Sequence, residues 1–135
     1  MDEDKRTYLV VGLGNPGQAY RGNRHNVGFM VADQVAENMG FSFSSMERES
    51  LVASGRVSGR KIILAKPQTY MNRSGQSVSS LVRFYKLPLD HLLVAYDDVD
   101  LPFESLRLRP AGGAGGQKGV KSIIRSLGTE AFARL

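Results

Sequence analysis

Three short apolar runs, each followed by a polar or glycine-bearing cluster, constrain this chain more than anything else in it. Residues 7–13 (TYLVVGL), 61–65 (KIILA) and 92–95 (LLVA) read as strands, the first and last of them continuous and buried. Residues 25–39 place Val27, Met30, Val31 and Val35 at helical spacing, and Gly40 ends that helix. Residues 51–57 and 61–65 flank Ser58-Gly59-Arg60 as a hairpin, with Pro67 stopping the second strand. Ser74 is the expected N-cap of a second helix, with Val78, Leu81, Val82 and Tyr85 on one face and Leu87-Pro88 as its close. Residues 106–108 read as a short strand, 111–116 as a loop, 118–127 as a helix and 131–135 as the start of an extended segment. Strands alternating with helices predict one α/β domain of three layers, its sheet mixed and largely parallel. Ligands of such sheets sit beyond the carboxyl ends of the strands. The polar clusters after Leu13, Ala65 and Ala95 occupy those ends.

Composition removes several function classes. The absence of cysteine excludes disulfide scaffolds, thiol catalysis, zinc–thiolate and iron–sulfur sites, and fits a reducing cytoplasm. No apolar run approaches the ~18 residues of a membrane span, and the mixed-charge start MDEDKR is not a signal peptide. The net charge of +5 is unevenly placed. Residues 1–104 hold twelve bases and twelve acids. From 105 onward there are six bases (Arg107, Arg109, Lys118, Lys121, Arg125, Arg134) against the single acid Glu130. Positive charge gathered beside a glycine-rich loop points to an anionic partner, nucleic acid first.

The string Gly12-Leu13-Gly14-Asn15-Pro16-Gly17 matches a dinucleotide fingerprint, yet Pro16 interrupts it and the next helix opens only near His25. It reads as a tight turn that presents Asn15 at a strand tip. His25 stands at the mouth of the first helix, where a histidine held by an aspartate is the usual general base near neutral pH. Asp97 follows the strand 92–95 and is the nearest carboxylate to a core-fixed position, with Asp98 and Asp100 as competitors. His91, before that strand, reads as a surface residue. Asn72 precedes a helix and is either a cap or a neutral donor–acceptor for a peptide group or oxyanion. No serine nucleophile elbow, Walker loop or H-E-x-x-H zinc site is present.

Taken in order, VGLGNPG, YRGNRHNVG, KPQTYMNRSG, VAYDDVDLP and the GGAGG stretch with its following helix resemble the bacterial-type peptidyl-tRNA hydrolase family over nearly the whole chain. The resemblance implies hydrolysis of the ester between a peptide, or an N-blocked amino acid, and the 3′ end of tRNA, without metal or cofactor. It implies catalytic roles for His25, which activates water, and Asp97, which orients the imidazole. Asn15, Tyr20, Met71 and Asn72 would hold the substrate, and Arg107 and Arg109 would meet the tRNA. The implied partner is peptidyl-tRNA at its acceptor stem and 3′ end, with no membrane, for a monomer in the cytoplasm. Two departures stand out. Lys118 occupies the place of a family asparagine, and a lysine cannot accept a hydrogen bond, so it stays outside the catalytic set. The domain, residues 1–135, is expected to stop short of the family's last strand, lid and terminal helix. A non-catalytic RNA-binding relative, like those used in splicing, is the alternative reading.

Overall fold

The computed structural model describes residues 6–14, 27–96, 111–114 and 117–135. Its elements are β1 (Thr7–Gly12), α1 (Val27–Met39), β2 (Ser45–Glu47), β3 (Ser50–Val57), β4 (Arg60–Pro67), a 3-10 turn (Met71–Arg73), α2 (Ser74–Phe84), β5 (Leu92–Ala95), α3 (Lys118–Leu127) and β6 (Ala133–Arg134). A further short 3-10 turn, Leu89–His91, leads into β5. One sheet takes the order β2-β3-β4-β1-β5-β6. The pairs β4–β1, β1–β5 and β5–β6 are parallel, whereas β2–β3 and β3–β4 are antiparallel hairpins. The mixed, largely parallel three-layer fold expected from the alternation is the fold observed. The extended start expected over 131–135 is already a paired strand, with Leu93 opposite Ala133 and Val94 opposite Arg134.

Strand periodicity divides the core between the two faces. Leu9, Val11, Ile63, Ala65, Leu92 and Val94 join Val78, Leu81, Val82, Val120 and Ile123 under α2 and α3. Val10, Ile62 and Leu64 turn the other way and meet Ala36 and Val35 of α1, with Phe41 and Phe43. The hairpin turn Ser58-Gly59 has φ of 52° and 80°, the left-handed pair that a two-residue connection needs to match strand twist.

Helix α1 buries a different face from the one its large side chains suggest. Gly28, Ala32 and Ala36 face the sheet, while Met30 is 50% exposed. The cause is close approach. A Cβ on Gly12 would lie 2.1 Å from the Gly28 carbonyl oxygen, and one on Gly28 would lie 2.3 Å from that of Leu13 and 2.4 Å from that of Ala95. Only small residues let the helix sit this low, so Gly12 of the early motif serves packing.

Two other expectations are corrected. Ser74 is the first residue of α2, not its cap, and its Oγ donates to the Met71 carbonyl at 2.8 Å. The 3-10 turn runs straight into α2, and Ser122 Oγ of α3 accepts from the Gly75 N–H at 2.8 Å, supplying the missing cap from the neighbouring helix. His91 is half-buried: its Nδ1–H donates to the Thr7 carbonyl at 2.9 Å and its ring stacks on Tyr8 at 4.1 Å between centroids. It closes the start of β1 against β5.

At the opposite end of the sheet from β6, the Tyr85 hydroxyl donates to the Glu47 carboxylate, and burial together with that neighbouring negative charge pushes the phenol up to about 12. The group's value in the unfolded chain is 10.0, so its contribution to stability is complete below that pH and is lost as pH climbs through 12. Chemical denaturation followed between pH 9 and 12 is expected to show this loss, and Tyr85→Phe should make that alkaline limb shallower.

Candidate active site

The carboxyl ends of the three central parallel strands meet at one edge of the sheet. Leu13, just past β1, donates its N–H to the Ala95 carbonyl at 2.9 Å, and Gly28 of α1 lies against both residues. A Cβ on Gly119, in the first turn of α3, would lie 2.7 Å from Met71 Sδ and 2.8 Å from Leu13 Cδ1. The end of β1, the end of β5, the turn after β4 and the first turns of α1 and α3 therefore converge. Crowding of backbone on backbone seats α1 on the strand ends, and the Met71 and Leu13 side chains fill the space against α3.

Of the residues singled out by sequence, Met71 and Asn72 are brought to this convergence. Met71 is half-buried, packs on the main core, and its sulfur accepts from Gln117 Nε2 at 3.4 Å. Asn72 lies in the 3-10 turn between β4 and α2, exposed, and caps neither element by a side-chain hydrogen bond. Its amide thus keeps both donor and acceptor available among the described residues. Asn15, Tyr20, His25, Asp97, Asp98, Asp100, Arg107, Arg109 and the strand read over 106–108 lie outside the described residues. The elements flanking three of these positions are described. In sequence, Asn15 comes three residues after β1, His25 two before α1 and Asp97 two after β5; β1 and β5 end at the convergence and α1 begins there.

The segment before α3 contributes residues that sequence reading passed over. Gln117 Oε1 accepts from the Val120 N–H at 2.8 Å and caps α3, while its Nε2 reaches Met71. Glutamine is not among the residues favoured at an N-cap, so the sequence carried no sign of this role. Lys118 is exposed at the first position of α3. Lys118, Lys121 and Arg125 stand at i, i+3 and i+7, a single exposed stripe along the helix. Arg134, counted with the basic tail above, does not belong to that surface. It is fully buried, its Nη1 donates to the Gly113 carbonyl at 3.1 Å and its Nη2 to that of Glu130 at 2.8 Å. The guanidinium also lies 4.2 Å from the Phe132 ring centroid, so it ties the glycine loop to β6. A lone arginine in an apolar run, FARL, gave no sign of this.

Among the described residues no group of three or more histidines and carboxylates is placed to hold a metal ion, and no helix is long and apolar enough to cross a membrane.

A three-layer α/β fold whose described strand ends and helix mouths converge on one edge defines the class, an α/β protein with an edge-of-sheet site. Residues 9–135 match the family model described as peptidyl-tRNA hydrolase. The chain is 56% identical over 122 residues to the mitochondrial peptidyl-tRNA hydrolase of Oryza sativa subsp. japonica, covering 90% of this chain and 49% of that protein. It is 52% identical over 128 residues to the peptidyl-tRNA hydrolase of Carboxydothermus hydrogenoformans, covering 95% of this chain and 68% of that one. The crystal structure of peptidyl-tRNA hydrolase from Acinetobacter baumannii superposes with a TM-score of 0.91 at 37% identity, covering 96% of this chain and 66% of the other. The chain belongs to the peptidyl-tRNA hydrolase family. It spans about half the length of the rice protein and about two thirds of the Acinetobacter one.

Proposed function

We propose that this chain hydrolyses the ester joining a peptide, or an N-blocked amino acid, to the 3′ end of tRNA. The match to the family over residues 9–135 carries the reading. The convergence of the elements flanking Asn15, His25, Asn72 and Asp97 supports it, because two to three residues of chain span at most about 7–11 Å. His25 takes a proton from water, whose oxygen attacks the ester carbonyl while Asp97 orients and stabilises the imidazolium. The Asn72 amide donates to the oxyanion, and Asn15, Tyr20 and Met71 hold the peptide. When the tetrahedral intermediate collapses, the carbon–oxygen bond to the tRNA breaks. The imidazolium proton passes to the departing 3′ oxygen, leaving free tRNA and a peptide carboxylic acid. Incubating the purified chain with N-acetyl-aminoacyl-tRNA and following ester loss is the direct test. Tight tRNA binding without ester loss would identify a binding protein instead.

The same proposal has tRNA met at its acceptor stem by Arg107 and Arg109 together with the exposed Lys118, Lys121 and Arg125 stripe, in a cytoplasmic monomer. Each phosphate contact removed flattens the plot of log affinity against log salt by roughly 0.7–0.9. The doubles Arg107→Ala/Arg109→Ala and Lys121→Ala/Arg125→Ala are each expected to flatten it by about 1.4–1.8. Unchanged slopes in both doubles would place the tRNA elsewhere.

A further inference from the structure

The segment that carries Met71 and Asn72 has a second side. Glu49, Gln68, Thr69, Tyr70, Arg73 and Gln76 line a cavity of about 420 Å³ next to the 3-10 turn, off the end of β4 towards β3. We propose that this cavity is the subsite for the peptide of the substrate, receiving residues two or three positions upstream of the ester. The inference rests on the hydrolase reading above and names what part of the substrate lies there.

Three observations carry it. The lining is polar and balanced: one carboxylate, one guanidinium, two amides, a hydroxyl and one phenol. A nucleic-acid backbone selects net positive charge, and Glu49 opposes it, whereas a peptide offers alternating donors and acceptors that amides match. The Thr69 Oγ1 is shielded from solvent and has no hydrogen-bond partner among the described residues, a costly arrangement that a bound peptide group can relieve. Glu49 is also held where it is at some expense. Arg48 and Glu49 form the two-residue β2–β3 turn with φ of 50° and 67°, a left-handed pair without glycine or asparagine. The turn is pinned by the Gln68 N–H donating to the Glu49 carbonyl at 2.8 Å and by Ser77 Oγ donating to the Arg48 carbonyl at 2.5 Å. Tyr70, 78% exposed, adds a ring face against which a side chain of the peptide can rest.

The cavity adjoins Met71 and Asn72 along the chain, so a peptide leaving the ester has only a few residues to travel at about 3.3–3.6 Å each. The test compares N-acetyl-alanyl-tRNA with N-acetyl-trialanyl-tRNA, which share one ester, in the wild type and in Arg73→Ala/Gln76→Ala. Both replaced side chains are exposed and have no hydrogen-bond partner among the described residues, so the fold should survive. The double is expected to lose about five- to ten-fold in kcat/KM on the longer substrate and to leave the shorter one unchanged. Equal losses on both substrates, or none on either, would overturn the subsite. If neither tRNA ester is cleaved by the wild type, the hydrolase reading fails and the subsite is judged by binding alone. N-acetyl-trialanine amide should then shift the backbone NMR signals of Glu49, Gln68 and Gln76 saturably in the wild type and not in the double. No shift, or shifts caused only by a CCA trinucleotide, would overturn it.

Discussion

Replacing His25 with alanine is expected to slow ester hydrolysis by about 10²–10⁴-fold while leaving tRNA affinity nearly intact. The chain has two histidines, and the structure removes one of them from consideration. His91 stacks on Tyr8 and donates to the Thr7 carbonyl, at the strand-start end of β5 and away from the convergence. His25 is then the one imidazole left to take a proton from water near neutral pH. Its place two residues before α1 matters because α1 is seated on the ends of β1 and β5 by backbone contact rather than by adaptable side chains. The measurement is a single-turnover ester-loss assay beside an equilibrium tRNA-binding assay. A His25→Ala protein with undiminished turnover would remove histidine from the mechanism, and a parallel loss of tRNA affinity would make it a binding residue.

How far the sequence could be read depended on whether each signal was local. Strands β1, β3, β4 and β5 and helix α3 were legible because period-two or period-3.6 apolar patterns coincide with what the sheet buries. The Gly40 helix end was legible from its glycine, which stands at a left-handed φ of 74°. What failed depended on residues far apart in the chain. Ser74 looks like a cap only if α2 is considered alone, and the cap comes from Ser122, 48 residues later (122 − 74). Met30 looks like a core residue by spacing, but the Gly12–Gly28 contact rotates α1 so that glycine and alanine face the sheet. Arg134 looks like surface charge, and its burial depends on carbonyls of Gly113 and Glu130 that no sequence window brings together. Of the candidate site, Asn72 was legible from its place before a helix in a polar string, whereas Met71 came from the resemblance to the family. Gln117 was missed because its role is divided between a cap and a contact with Met71.

The largest expected effect on stability comes from one methyl group. Gly28→Ala would put a Cβ within 2.3–2.4 Å of the Leu13 and Ala95 carbonyl oxygens and the Leu13 nitrogen. All three are backbone atoms at the ends of two central strands, so no side chain can swing aside. The helix must lift, and overpacking of this kind costs about 3 kcal/mol or more, enough to lower Tm by roughly 10 °C in a domain of this size. Gly40→Ala is the control. Gly40 has φ of 74° and nothing within 4 Å, so alanine there meets only left-handed backbone strain of about 1–2 kcal/mol. Thermal denaturation of the two variants separates steric from conformational cost, and a Gly28→Ala protein no less stable than Gly40→Ala would mean that α1 is not seated by that contact. The functional consequence follows from the same geometry. Any Gly28→Ala protein that still folds has raised the mouth of α1 from the ends of β1 and β5, moving the chain that carries His25 relative to the chains that carry Asn15 and Asp97. It should therefore lose turnover out of proportion to its loss of folded population, because a shift of about 1 Å between reacting groups can cost about 10²-fold.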